Sequence, residues 1–324
     1  MKKLIYLPTI SLLFLSLFFI TDINAKALSI GTAPTYEKLQ LEPGEIYEDN
    51  FTVWNLETST TTYYVKISSF EQIQNQAGSA IFLTEEDDAK NPYSASSWIT
   101  VEKNILELIP NRNVTVDYTI TVPEELAPGE YNAEIYFSSE EAEKQEATSA
   151  YSVLSSGIPI LVIIGDDYAE SAEIIDFYST RKIYERPNFV TLITRIRNLG
   201  DTHITPKGDI VLTNILNQEV GRITFNDMDQ SILRDNSGDY ESVWDLETYI
   251  DEGKIALGPI TAEAIILYRR NNPGFSILSA TTTFWIIPWK LIILILTVII
   301  VIYVVLRLKK KKKKNTNNNY HYPR

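Results

Sequence analysis

The chain has 324 residues, no cysteine and a formal net charge of −13 from 42 acidic and 29 basic residues. So acidic a balance argues against a nucleic-acid partner, whose phosphates need Lys and Arg opposite them. The missing cysteines exclude a disulfide-stapled mini-domain and a Cys-ligated zinc site, so hydrophobic cores must hold the fold, and the length suits about two domains.

At the N-terminus, Lys2 and Lys3 precede an apolar run over residues 4–20, and Ala25-Lys26-Ala27 offers small residues around a cleavage point. This is the pattern of a secretory signal peptide over residues 1–27; an uncleaved anchor is the alternative. At the other end, residues 284–308 form an apolar stretch long enough to cross a bilayer, and six lysines, Lys309, Lys310, Lys311, Lys312, Lys313 and Lys314, follow it. Basic residues gather on the cytoplasmic side, so the expected topology is a single-pass cell-membrane protein with its N-terminus outside and residues 309–324 as a basic cytoplasmic tail, too short and polar to fold. Trp285 and Trp289 bracket Pro288 at the outer interface, where indole rings favour the headgroup level. Lys290 can snorkel outward, and Arg307 with the lysines closes the inner end, where anionic lipid attracts such clusters. These ten residues are the candidate membrane-anchoring set. Outside residues 28–283 lie twelve bases and one acid, so the intervening segment keeps 17 basic and 41 acidic residues, a net of −24.

That segment reads as strands. Val114, Val116, Tyr118, Ile120 and Val122 alternate with polar residues, and shorter alternations recur near Phe51, Tyr64, Val190, Ile210 and Ile260, the period of half-buried strands. Turn signals separate them at Pro43-Gly44, Pro110-Asn111, Pro128-Gly129 and Asn198-Leu199-Gly200-Asp201. The fold class is therefore all-β, two tandem immunoglobulin-like antiparallel sandwiches over residues 28–166 and 167–283, with helix confined to the single transmembrane segment. The acidic stretch 138–150 is a solvated loop before the apolar strand 158–164, and a second strand set begins near Ala172. Pro43-Gly44 suits a tight turn, a device that Pro128-Gly129 repeats; Asn55 at a strand end can satisfy backbone groups.

Chemistry-bearing residues are few. Only His203 lies in the exported segment, after a Gly-Asp turn, where an exposed turn histidine is the expectation; no Gly-x-Ser-x-Gly elbow is present for it to serve. The carboxylates at residues 85–88 and at Asp227 and Asp229 could offer oxygen ligands to calcium, but an EF-hand count from Asp227 meets Ile232 where Gly is needed and Gly238 where Glu is needed. No cofactor, metal or catalytic role is assigned, and the chain is read as a non-enzyme. A sugar-binding alternative would group aromatics such as Tyr63, Trp98 or Tyr151 on one exposed face.

The stretches LQLEPGEIYEDNFTVWN (39–55), NQAGSAIF (75–82), LELIPNRNVTVDYTITVPEELAPGEYNAEIYF (106–137) and SGIPILV (156–162) resemble, in that order, the bacterial WxL-interacting proteins. The resemblance implies a cell-surface protein with a signal peptide, two immunoglobulin-like domains, one transmembrane helix and a basic tail, whose first domain binds peptidoglycan and whose second binds a host or partner protein. The second half has no counterpart of that family's Pro-Asn-Ser turn, since residues 232–237 lack the proline, so it carries over architecture and location but no functional residue. The implied function is a membrane-anchored surface interaction protein that holds cell-wall polymer or another envelope protein. A non-catalytic carbohydrate-binding protein, or an accessory subunit of an envelope enzyme complex, is the alternative.

Overall fold

The computed structural model describes residues 30–139, 157–185, 188–246, 256–268 and 276–318. The signal-peptide segment and Tyr151 fall outside them.

Two immunoglobulin-like sandwiches follow one another, built to one plan. In the first, β1 (Ile30–Ala33), β2 (Glu37–Leu41), β3 (Ile46–Asn55) and β4 (Thr61–Ser68) lead into an excursion of β5 (Phe70–Gln72), β6 (Asn75–Gln76), β7 (Ala80–Phe82) and the one-turn helix α1 (Glu85–Asp88). The sandwich resumes with β8 (Ile99–Val101), β9 (Ile105–Leu108), β10 (Asn113–Thr121), β11 (Gly129–Ser139) and β12 (Gly157–Ile164). One sheet has the order β1-β3-β10-β8, the other β2-β12-β11-β4-β9, with β2 parallel to β12. The second sandwich comprises β13 (Ala172–Ser179), β14 (Ile183–Tyr184), β15 (Phe189–Asn198), β16 (Lys207–Asn214), β17 (Glu219–Phe225), β18 (Ser237–Asp245), β19 (Gly258–Tyr268) and β20 (Ser276–Ile286). Its five-stranded sheet, β14-β20-β19-β16-β17, repeats that of the first sandwich position for position, including the parallel first pair.

The alternations place the cores. Val116, Tyr118, Ile120 and Val122 face Tyr131, Ala133, Ile135 and Phe137 across the first sandwich, all buried. In the second, Val190, Leu192, Ile196 and Trp244 meet Ile210, Leu212, Ile260, Ile266 and Phe284. Each buried aliphatic or aromatic side chain contributes about 1.5–3 kcal/mol, which lets both domains stand without disulfides.

A buried asparagine locks the same corner of each sandwich. Asn55 Nδ2 donates to the carbonyls of Ser59 (2.9 Å) and Leu108 (2.7 Å), and its Oδ1 accepts from Glu57 N–H. Asn198 Nδ2 donates to the carbonyls of Thr202 (2.8 Å) and Ile232 (3.1 Å), and its Oδ1 accepts from Gly200 N–H. Each amide thus satisfies backbone groups where the chain leaves a central strand for the opposite sheet.

Several details depart from the sequence reading. Pro43-Gly44 forms the tight turn, with Gly44 at φ +79° and Glu45 N–H donating to Glu42 C=O. Pro128-Gly129 does not repeat it: Gly129, at φ +135°, opens β11 where a Cβ would press on Arg234 and the Asp201 backbone. Strand β11 runs through Ser139, two residues into the stretch read as loop. Helix is not confined to the C-terminus either. The carboxylate of Asp88 at the end of α1 accepts from the hydroxyls of Ser69, Ser94 and Ser96 and from Ser69 N–H. Burial alone would raise this carboxyl, but the hydroxyls and N–H outweigh it and hold it below its ordinary value.

The excursion joins the two domains. The second sandwich's four-stranded sheet is β13-β15-β18-β6, so its fourth place, filled in the first sandwich by β8, is taken by a strand from the first domain. Strand β6 pairs parallel with β18, Asn75 opposite Gly238 and Gln76 opposite Asp239. Ala77 enters the second core, Gly78 N–H donates to Ser231 C=O, and the Gln72 amide donates to Ser237 C=O (2.8 Å) while accepting from Leu233 N–H (2.9 Å).

Asn198→Ala would remove the bonds to the Thr202 and Ile232 carbonyls and to Gly200 N–H, costing about 1–3 kcal/mol. Asn55→Ala should cost a similar amount in the first domain. Thermal unfolding followed by near-ultraviolet circular dichroism should show both losses, and an unchanged midpoint in either variant would contradict the locking role of that amide.

Candidate functional site

Polar and apolar features concentrate at two places: the junction between the sandwiches and the opposite pole of the second, where the C-terminal helix begins.

At the junction, Glu130 opens β11 on its outer face, and its N–H donates to Asp201 C=O at 2.9 Å. Its carboxylate meets His203 Nδ1 at 2.5 Å, and Lys38 Nζ of β2 lies 3.3 Å from His203 Nε2. The arrangement is satisfied when Nδ1–H donates to the carboxylate and Nε2 accepts from the ammonium, so a positive, a neutral and a negative group form one chain across the interface. His203 is therefore not an exposed turn histidine: it is 3% exposed, because the first domain packs over the turn that carries it. Beside it, the Arg234 guanidinium stacks 3.8 Å from the Tyr93 ring centroid and pairs with Asp201 at 3.1 Å. Sequence spacing could not find these contacts, since Glu130 and His203 are 73 residues apart and Lys38 and His203 are 165 apart.

The outer face of β11 is otherwise covered by the excursion. Asn132 Oδ1 accepts from Phe70 N–H, and Tyr136 stacks on Phe82 with ring centroids 5.4 Å apart. Between them Glu134 is buried, and burial pushes its carboxyl up to about 8. On the other side of the first sandwich, Tyr47 donates to Asp49 at 2.8 Å and packs against Tyr118, whose buried hydroxyl has no hydrogen-bond partner among the described residues. Burial raises Glu37 there, and the Asp49 charge adds to the shift. This tyrosine–carboxylate patch, with Tyr36 59% exposed next to it, is a polar surface of the first sandwich.

Tyr63 and Trp98 do not form a sugar platform. Tyr63 is fully buried and Trp98 packs on Tyr131 at 4.9 Å, because both side chains fall on inward positions. Among the described residues no cluster of three metal-ligating side chains occurs, and the acidic runs have protein partners: Asp87 accepts from Thr84, Glu86 pairs with Lys90, and Asp229 pairs with Lys207.

At the far pole, β20 continues through Ile286, so residues 284–286 belong to the sandwich and not to the apolar span. Phe284 is fully buried against Tyr184 (5.7 Å) and Trp244 (6.4 Å), while Trp285, on the alternate face, is 44% exposed. After Ile287 and Pro288 the helix α2 (Trp289–Asn318) begins. Trp289 is exposed, and Lys290 lies 5.5 Å from its ring centroid and 2.9 Å from the Glu185 carboxylate. Residues Ile292–Lys310 have mean hydropathy 2.7 with none of that window buried, long and apolar enough to cross a membrane. At 1.5 Å per residue the 19 residues span about 28 Å. Thr297, a polar residue within the run, donates to Ile293 C=O and so leaves no unsatisfied hydroxyl. Arg307, Lys309 and Lys310 are exposed on the last turns. The backbone stays helical through Lys311, Lys312, Lys313 and Lys314 to Asn318, extending into the tail read as unfolded, because an established helix propagates at little cost through lysines.

No family model and no curated protein matches the chain. Among solved structures, the Class 5 fimbriae chaperone CfaA is similar at TM-score 0.36 and 12% identity over 79% of this chain and 98% of its own. The Pseudomonas aeruginosa CupB2 chaperone gives 0.35 and 8% over 79% and 100%, and the E. coli chaperone DraB gives 0.33 and 13% over 80% and 95%. Likeness at that level carries no inference about what this chain binds.

The pH response of Glu134 can be checked directly. A carboxyl raised from 4.5 to about 8 by folding contributes most below its unfolded value, and that contribution is lost as pH climbs toward 8. Glu134→Gln should therefore raise stability at pH 8, by at most about 4 kcal/mol, and change it little at pH 4. Denaturant titrations at the two pH values will show this, and an equal effect at both would exclude a buried, raised carboxyl.

Proposed function

We propose that the chain is an exported, non-catalytic interaction protein, held at a bacterial cell surface by α2, whose first sandwich engages cell-wall polymer or another envelope protein. The observation that carries this reading is that the two sandwiches share a sheet and only two residues separate β20 from α2. Such a chain transmits position from a membrane to a distant binding surface with few places to bend.

The register supports the geometry. The junction lies at the end of the second sandwich where Ser237 pairs with Arg197, whereas α2 begins at the end where Phe189 pairs with Asp245 and Ile286 with Gly258. A strand of nine to eleven residues at about 3.3 Å per residue therefore separates the first sandwich from the helix by roughly 30–36 Å. The lysines after the apolar run favour a cytoplasmic C-terminus, which puts both sandwiches outside. His203 supports the non-catalytic reading, since both its ring nitrogens are engaged inside the junction. The resemblance of residues 39–55, 75–82, 106–137 and 156–162 to WxL-interacting proteins points to peptidoglycan as the first polymer to test.

Full-length protein in mild detergent should be retained on purified peptidoglycan or bind a defined envelope protein, and passage through both without retention would overturn the reading. In cells, the chain should stay in the membrane pellet after an alkaline carbonate wash, and truncation before Trp289 should release it. A carbonate-soluble full-length chain would contradict the anchoring role of α2.

A further inference from the structure

Among charged residues such as Lys182, Glu185 and Asp245, the pole of the second sandwich next to α2 presents one uncharged apolar turn. Strand register fixes which loops share it. Ile286 of β20 lies opposite Gly258 of β19, and Ile260 of β19 lies opposite Asn214 of β16. Asn214 is thus two residues, roughly 7 Å, from the level at which β20 leaves the sheet, and two strands, roughly 10 Å, to its side. The β16–β17 turn continues toward α2 from there and ends about level with Ile286.

At the tip of that turn Ile215 and Leu216 are each 72% exposed. Loose packing does not explain this. Asn214 Oδ1 accepts from Leu216 N–H (2.9 Å) and Gln218 N–H (3.0 Å), Asn214 Nδ2 donates to Gln218 Oε1 (3.1 Å), Asn214 N–H donates to Gln218 C=O (3.0 Å), and Asn217 holds φ +56°. The turn is locked with its two aliphatic side chains held away from the core. Residues 213–218 carry no charge, in a chain with 42 acidic residues. Phe189 (62% exposed), Ile183 (60%) and Trp285 (44%) extend the apolar surface around the same pole. Large apolar side chains held exposed in this way mark a binding face.

We propose that this pole is seated in the interfacial layer of the bilayer that α2 crosses, with Ile215 and Leu216 inserted among lipid headgroups beside the helix. The inference rests on the membrane-spanning reading of α2. Continuity selects lipid over a protein partner: Trp289, an indole suited to headgroup depth, is three residues from Ile286 and so within about 10 Å of it. The tip cannot stand far above the surface that α2 enters, and its uncharged composition removes the main cost of entering it. The second sandwich then touches the membrane at two points, and its tilt is set by the pair.

The cysteine-free sequence allows a direct test in the full-length protein. Single cysteines at Leu216, Lys103 and Ile300 are labelled with an environment-sensitive nitrobenzoxadiazole dye and reconstituted into vesicles containing nitroxide lipids, labelled at the headgroup or deep in the acyl chain. The label at 216 is expected to emit further to the blue and to be quenched by the headgroup nitroxide. The label at 103, in the first sandwich, should be unaffected, and that at 300 quenched by the deep nitroxide. Ile215→Asp should abolish most quenching at 216 and leave that at 300 unchanged. An unquenched label at 216 with a quenched label at 300 overturns the inference and leaves the anchor standing. Quenching at neither position overturns the spanning reading and this inference with it. Quenching at 216 that survives Ile215→Asp shows proximity without insertion and also overturns it.

Discussion

The rest of the structure depends on the two-residue strand β6. Backbone N–H and C=O groups at a sheet edge demand partners, and β18 obtains them on one side from β15 and on the other from a strand that belongs to the first domain. The second sandwich repeats the first except at this place, where the equivalent of β8 is supplied from outside. Two sandwiches joined by a peptide linker alone would behave as independent bodies. Sharing a sheet, a core residue in Ala77 and the Gln72 hydrogen bonds, they behave as one, and the long excursion between β4 and β8 exists to make that connection.

The electrostatics of the junction follow the same logic. Glu130, His203 and Lys38 are joined in a single line of hydrogen bonds. Burying Glu130 or His203 alone would be costly, whereas here each has a partner and Lys38 stands at the exposed end of the line. The pair gives the interface a defined register more than it adds stability, since buried ion pairs often only break even against desolvation. The Arg234–Tyr93 stack and the Arg234–Asp201 pair continue that register toward the surface.

Local pattern was legible in the sequence, and long-range completion was not. The alternation from Val114 to Val122, the turn at Pro43-Gly44, the corner amide of Asn55 and the apolar strand 158–164 each declare themselves within ten residues, because period and turn chemistry act locally. The excursion 70–98 has no such period, since its short pieces are held by the serines around Asp88 and by the other domain. His203 looked exposed because a turn motif precedes it; the first domain, through Glu130, packs over that turn and buries it. Tyr63 and Trp98 could not be sorted into core or surface by type, as aromatics serve both. Phe284 looked like the start of the apolar span because a buried strand and a membrane segment share a composition, and only its pairing across β19 separates them. The candidate anchor set from Trp285 to Lys314 was assembled from local composition, whereas the apolar turn at Ile215 and Leu216 was hidden, since two aliphatics in a loop carry no periodic signal.

The short passage from β20 into α2 has a mechanical consequence. Any pull between a partner held by the first sandwich and a helix fixed in a membrane enters the second sandwich along the axis of β20. That strand is clasped by β19 over eleven antiparallel positions and by β14 on its other side, so the load falls across all those hydrogen bonds together, in shear, instead of peeling them one at a time. The first domain is drawn from the opposite pole, so the tension runs lengthwise through the sheet. In that geometry the strand next to α2 is among the hardest to extract.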